Sequence, residues 1–154
     1  MNNIDVLVIS IANPILVGIY KDNILLETIE STGKTSDILP NIFKDILEKF
    51  DISTIFYVNG PGSYMAIKVG YIFLKTLSIV KGIEFKATNG FEFNENSPIK
   101  ALGKKYFFNQ DDGKIIIEFL KDNDKLIDFK LPKELKKNIF NDDCLPNYHL
   151  PAVY

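Results

Sequence analysis

The sequence predicts an α/β protein: a mixed sheet with helices packed on it, in the order βββαβαβ, followed by a smaller second lobe. Three observations carry this. Short β-branched runs between residues 4 and 30 are separated by tight turns, as in an antiparallel meander. Two strand-like runs, 54–58 and 83–87, flank a long helical run; such a crossover favours parallel pairing in a covered sheet. After residue 88 the texture becomes polar and broken, so 1–88 reads as one lobe and 89–154 as a small, reduced one.

Taken in order, residues 4–10 form a short, nearly all-apolar buried strand. "ANP" turns it into a second strand at 15–20, and "KDN" turns that into a third at 24–30. Ile38, Leu39, Ile42, Phe43, Ile46, Leu47 and Phe50 then recur at helical spacing, with Lys44, Asp45, Glu48 and Lys49 opposite. Thr35 or Ser36 is expected to cap this helix, and Pro40 is tolerated in its first turn. Residues 54–58 are a buried strand, 63–80 a second helix ended by Lys81 and Gly82, and 83–87 another strand. Further strands are expected at 106–109, 115–120 and 126–129, joined by "QDDG" and "DND" turns. "PKELKKNIF" reads as a short helix, and the proline-containing tail from Cys144 as an extended strap along the body.

Composition narrows the function. A net charge of −2 lacks the concentrated basic surface that gripping nucleic acid requires. Cys144 is the only cysteine, so no intramolecular disulfide can form. The first ten residues have no basic stretch or cleavage site of a secretory signal. The longest apolar run, 65–80, is broken by Lys68, Lys75 and Ser78 and falls short of a membrane span. The expectation is a soluble, cytoplasmic protein.

The turn Gly60, Pro61, Gly62, Ser63 is the first candidate for chemistry. Glycines before a helix N-terminus can hold an anion. The Lys-Ser/Thr of a Walker loop is missing, and Met65 stands where a dinucleotide fingerprint needs its third glycine. The simpler reading is a tight turn with Ser63 as the helix cap. His149 is the only histidine and sits in the tail near Cys144, which supports neither a nucleophilic triad nor, with Asp142 and Asp143, a recognised metal spacing. No catalytic residue, metal or cofactor is assigned.

The helix after the turn says more. At about 3.6 residues per turn, one stripe carries Ile67, Tyr71, Leu74 and Ser78. Another carries Met65, Val69, Ile72, Phe73 and Val80. A helix apolar nearly all round is buried on both sides. One sheet face can cover one side; the other needs the second lobe or a second protein. Burial within the chain and an apolar face at a subunit interface both fit the pattern.

The stretch "NGPGSYMAIKVG" resembles the "GPGSFTGLRIG" signature of the TsaB (YeaZ) family. Gly60, Pro61, Gly62, Ser63 and Gly70 are retained, and Tyr64, Ile67, Lys68 and Val69 are similar. Ile38, Leu39 and Pro40 are similar to the family's "LLP", and the closing "LPAVY" to its proline-tyrosine element. The resemblance implies an N-terminal lobe of the actin-like ATPase (ASKHA) type and a second lobe shorter than usual. It departs in the first hairpin, where "VISIA" has no carboxylate, and at Met65 and Ala66, where the family has Thr-Gly.

The resemblance implies a non-catalytic scaffold subunit. Family members pair with the catalytic subunit TsaD and the ATPase TsaE. That machinery transfers a threonylcarbamoyl group from its adenylate onto N6 of adenosine 37 in tRNA (t6A). Contact with tRNA would be indirect. The expected partner interface is Tyr64, Ile67, Lys68, Tyr71, Ile72 and Lys75, and a homodimer through the same helix is an alternative use of that face. The rival readings are a small nucleotide-binding ATPase or acyl-transfer enzyme using the glycine turn, and a glycoprotease-like enzyme.

Overall fold

In the computed structural model, which describes residues 2–149, the chain runs through β1 (Asn2–Ile9), β2 (Ile15–Lys21), β3 (Ile24–Ser31), α1 (Thr35–Lys49), β4 (Phe50–Val58), α2 (Tyr64–Lys81) and β5 (Glu84–Thr88). The five strands form one sheet in the order β3-β2-β1-β4-β5. β1, β2 and β3 pair antiparallel, while β1 pairs with β4 and β4 with β5 in parallel. The β2–β3 hairpin turns on Asp22 and Asn23, both at positive φ, the conformation a two-residue hairpin loop demands.

The near-continuous apolar run of β1 has a direct cause: both faces of the sheet are covered. Ile4, Val6 and Val8 point to one face, where Leu39, Phe43 and Ile46 of α1 and Leu74 of α2 pack. Leu7 and Ile9 point to the other, where Phe91, Phe93, Ile99, Phe107, Leu135 and Phe140 pack. Each large side chain buried in this way contributes about 1.5–3 kcal/mol of transfer free energy. Among the described residues, every buried apolar side chain after β5 except Cys144 thus serves the face that carries Leu7 and Ile9.

The later segment holds a 3₁₀ turn, Gly90–Phe93, and a three-stranded antiparallel sheet of β6 (Ile99–Lys100), β7 (Lys105–Asn109) and β8 (Ile115–Phe119). Two expected elements do not form. Residues 126–129 join no ladder; instead the Ser97 hydroxyl accepts from the Ile127 N–H and donates to its C=O, and the Lys130 N–H donates to Phe93 O. "PKELKKNIF" is helical only as a 3₁₀ turn at Lys137–Ile139. Its start is drawn straight along the edge of β3: Leu25 N–H donates to Lys133 O, and Leu135 N–H to Asn23 O. An edge strand with open backbone groups competes successfully against a short, weakly nucleated helix.

The cap of α1 also differs from expectation. The helix begins at Thr35, so Thr35 and Ser36 lie inside it, and the capping position is Lys34 without a side-chain hydrogen bond. The Lys34 carbonyl receives the N–H groups of Asp37 and Ile38. The closing element at 150–154 lies outside the described residues.

Two tyrosines anchor the later chain to the sheet. The Tyr20 hydroxyl donates to Pro132 O at 2.6 Å, and the Tyr57 hydroxyl donates to Cys144 O. Burial raises the pKa of both phenols far above the ordinary range. The folded state therefore favours the neutral phenol, and this part of the stability is complete below about pH 10 and lost as pH rises beyond it. In an alkaline titration followed by tyrosinate absorbance, we expect Tyr20 and Tyr57 to ionise only together with unfolding, and Tyr20→Phe to remove one late-titrating phenol. Reversible titration of all the tyrosines near pH 10 in folded protein would contradict this arrangement.

Candidate protein-binding face

The glycine turn is a packing device. Gly60 has φ 135°, and a Cβ there would lie 2.0 Å from the Asn147 carbonyl oxygen. A Cβ at Gly62 would lie 3.0 Å from Ile11 Cβ, and one at Gly70 3.0 Å from Ser10 Oγ. The Gly60 carbonyl accepts from Gly90 N–H at 2.9 Å. The glycines let the turn, the β1–β2 loop and the tail meet at backbone distance, which leaves the inside of the turn filled by protein. Ser63 is the cap of α2, its Oγ accepting from Ala66 N–H at 3.5 Å, and Gly82 closes the helix in the left-handed conformation.

The expected interface residues separate onto different faces of α2. Ile67, 2% exposed, sits in the core with Gly70, Leu74 and Ser78, so it faces the protein interior. Tyr71 is half-buried, its ring 6.3 Å from those of Tyr57 and Phe85. Tyr64 is half-buried with its ring 4.4 Å from that of Tyr148 in the tail, and Lys68 Nζ lies 6.0 Å over the Tyr64 ring. Lys68, Ile72 and Lys75 point outward. Between and beside them Met65 is 61%, Ile72 52%, Ile79 69% and Val80 72% exposed. Phe73 turns towards α1, edge-on to Phe43 at 5.8 Å.

The outer face is thus a ridge of Met65, Ile72 and Ile79, three side chains spaced seven residues apart. A groove of about 360 Å³ runs beside it, lined by Ser36 and Pro40 of α1 and by Val69, Ile72, Phe73 and Thr76. Ile79 was absent from both stripes read from the sequence; the seven-residue recurrence from Met65 and Ile72 was the signal that could have found it.

The tail supports this face from behind. Asn147 N–H donates to Asn59 O and the Asn59 side chain donates to Leu145 O, so the strap crosses the strand end that leads into the glycine turn. Cys144 is buried, its Sγ donating to Phe85 O at 3.0 Å, and burial pushes the thiol up to about 11. A thiol held neutral in this way is a poor nucleophile and a poor ligand. Asp142 pairs with Lys86 at 3.3 Å. On the other side of the sheet, a cleft of about 840 Å³ lies between the β1–β2 loop (Ile11, Ala12, Asn13, Pro14) and residues 126–131. The loop brings no carboxylate to it. Among the described residues no helix is long and apolar enough to cross a membrane.

For the turn we expect Gly60→Ala to destabilise the protein by roughly 2–4 kcal/mol, since it combines a left-handed backbone with a clash against main chain. Thermal or urea unfolding measures this, and a loss under about 0.5 kcal/mol would show that the tail does not press on the turn.

No family model and no curated protein sequence matches the chain. Solved structures do. YeaZ from Pseudomonas aeruginosa superposes with a TM-score of 0.60 at 10% identity, over 84% of this chain and 65% of that one. An uncharacterized protein with similarity to peptidase YeaZ from Pseudomonas aeruginosa superposes with a TM-score of 0.59, also at 10% identity and with the same coverage. This chain therefore spans about two thirds of the length of these structures. The chain has the fold of YeaZ, the same family that its Gly-Pro-Gly-Ser turn resembles.

Proposed function

We propose that this chain is a non-catalytic scaffold subunit, with an actin-like N-terminal lobe, of the machinery that makes N6-threonylcarbamoyladenosine in tRNA. It binds and supports a TsaD-type catalytic subunit in the cytoplasm, in an assembly that also uses a TsaE-type ATPase, and meets tRNA indirectly. The observation that carries this reading is the outward ridge Met65, Ile72, Ile79 on the helix that follows the family-like turn. Apolar side chains of this size, aligned on one helix face and rimmed by polar residues, are the composition of a protein-binding surface.

The rival reading, an ATPase or acyl-transfer enzyme acting at the glycine turn, is disfavoured by the same geometry. The turn is packed against Ile11, Gly90 and Asn147, and no carboxylate of the first loop reaches the neighbouring cleft.

Ile72→Asp tests the proposal. The residue is half exposed, so the variant keeps its fold, while a buried charge at the interface is strongly unfavourable. We expect affinity for a co-purified TsaD-type subunit to fall by about a hundredfold or more, with the melting temperature of the isolated chain unchanged. Unaltered binding would show that the ridge is not the contact. Ile67→Asp is unsuitable for this purpose, because Ile67 lies in the core and its loss unfolds the protein.

A further inference from the structure

We propose that a second copy of this chain joins the open edge of the small sheet, β8 pairing antiparallel with its own counterpart in the register centred on Ile116. The inference is independent of the scaffold reading and of the α2 ridge.

The other strand edges are closed, charged or short. The start of β3 bonds to residues 133–135, and the rest of that strand carries Glu27 and Glu30. At the β5 edge, Ala87 and Asn141 exchange both backbone bonds, at 2.9 and 2.8 Å. β6 is two residues long. These are the usual ways of blunting an edge. β8 lies at the end of its sheet and reads Ile-Ile-Ile-Glu-Phe. It has no proline, glycine or bulge, and Phe119 is 61% exposed. A β-branched strand of this kind is a template for another strand.

The hairpin sets which backbone groups are on offer. Gln110 N–H donates to Lys114 O, so these two form a hydrogen-bonded pair. Such pairs alternate along an antiparallel ladder. From the register, Phe108 with Ile116 and Tyr106 with Glu118 are the next ones. The N–H and C=O groups of Ile115, Ile117 and Phe119 therefore point to the open side. Among the described residues no other segment bonds to them there.

A two-fold axis makes the new pair antiparallel. Registers centred on Ile116, Ile117 or Glu118 all bring outward residues opposite one another. Centring on Glu118 sets two carboxylates face to face. Centring on Ile117 sets Glu118 opposite Ile116. Centring on Ile116 sets Lys114 opposite Glu118 at both ends. Ile115 then pairs with Ile117 of the second copy, exchanging both backbone bonds, and the reverse. Ile116 meets itself on the axis, beside Phe108 of β7. The Lys114–Glu118 pairs fall at positions without backbone bonds, where facing side chains come closest. Neither residue is in an ion pair within the chain among the described residues. The pattern Lys-x-Ile-x-Glu is thus its own complement when reversed, and this singles out a second copy as the occupant.

Sedimentation equilibrium of the full chain tests this. The wild type should form a concentration-dependent dimer, a weak one because a single strand pair is a small interface. Lys114→Glu and Glu118→Lys should each weaken it about tenfold at low salt. The two reversals together should restore it. Both side chains are exposed, so these variants keep the fold. Ile117→Pro removes an N–H that faces the open edge and not β7, and should abolish the dimer with circular dichroism unchanged. If that variant unfolds, the charge reversals still decide. Ile72→Asp should leave the dimer intact, which separates this contact from any made by α2. A wild type that stays monomeric overturns the proposal. So does a dimer that ignores the single reversals, is not restored by the double one, or dissociates with Ile72→Asp. None of these outcomes bears on binding of a TsaD-type subunit at the ridge.

Discussion

Alternate residues of β1 point to opposite sides of the central sheet, and both sets are apolar. Ile4, Val6 and Val8 must be covered on one side and Leu7 and Ile9 on the other. Leu39, Phe43, Ile46 and Leu74 of the two helices meet the first requirement, and the buried apolar residues of the later chain other than Cys144, joined by Ile67 from the start of α2, meet the second. Among the described residues, little of the C-terminal segment is then left to cover the helices from outside. α2 has one flank on the sheet and one against α1, so the ridge of Met65, Ile72 and Ile79 faces away from the protein. The exposed face follows from how the two covering layers are shared out.

The glycine turn joins these layers. It receives the end of β4 and starts α2, while the tail crosses it and the β1–β2 loop presses from the other side. Main chain meets main chain there, so side chains are excluded at Gly60 and Gly62. The ends of β4 and α2 are held together, and the orientation of the helix face is set by rigid contacts. Tyr57 and Tyr20 extend the same connection, each anchoring a distant carbonyl with a hydroxyl that burial keeps neutral. A helix face held in this way is preorganised, and preorganisation reduces the ordering that any binding would cost.

Local pattern carried the first half of the chain well. The β-branched runs, the two tight turns, the helical spacing of Leu39, Ile42, Phe43 and Ile46, and Ser63 as a cap all reflect interactions within a few residues. It carried the second half less well. Residues 126–129 have strand-like composition but bond to the Ser97 side chain, and 132–140 have helical composition but run along the edge of β3. In both cases a partner far away in sequence competes with the local preference.

The sequence by itself determined that α2 has two apolar sides and that a Gly-Pro-Gly-Ser turn precedes it, because helical periodicity and turn chemistry are local properties. Only the tertiary structure decided which side is free. Ile67 and Tyr71 turn to the interior and Met65, Ile72 and Ile79 turn out, since the later chain spends its apolar residues on the opposite face of the sheet. A helical wheel records angles between side chains; which angle meets the core depends on what the rest of the molecule has already covered.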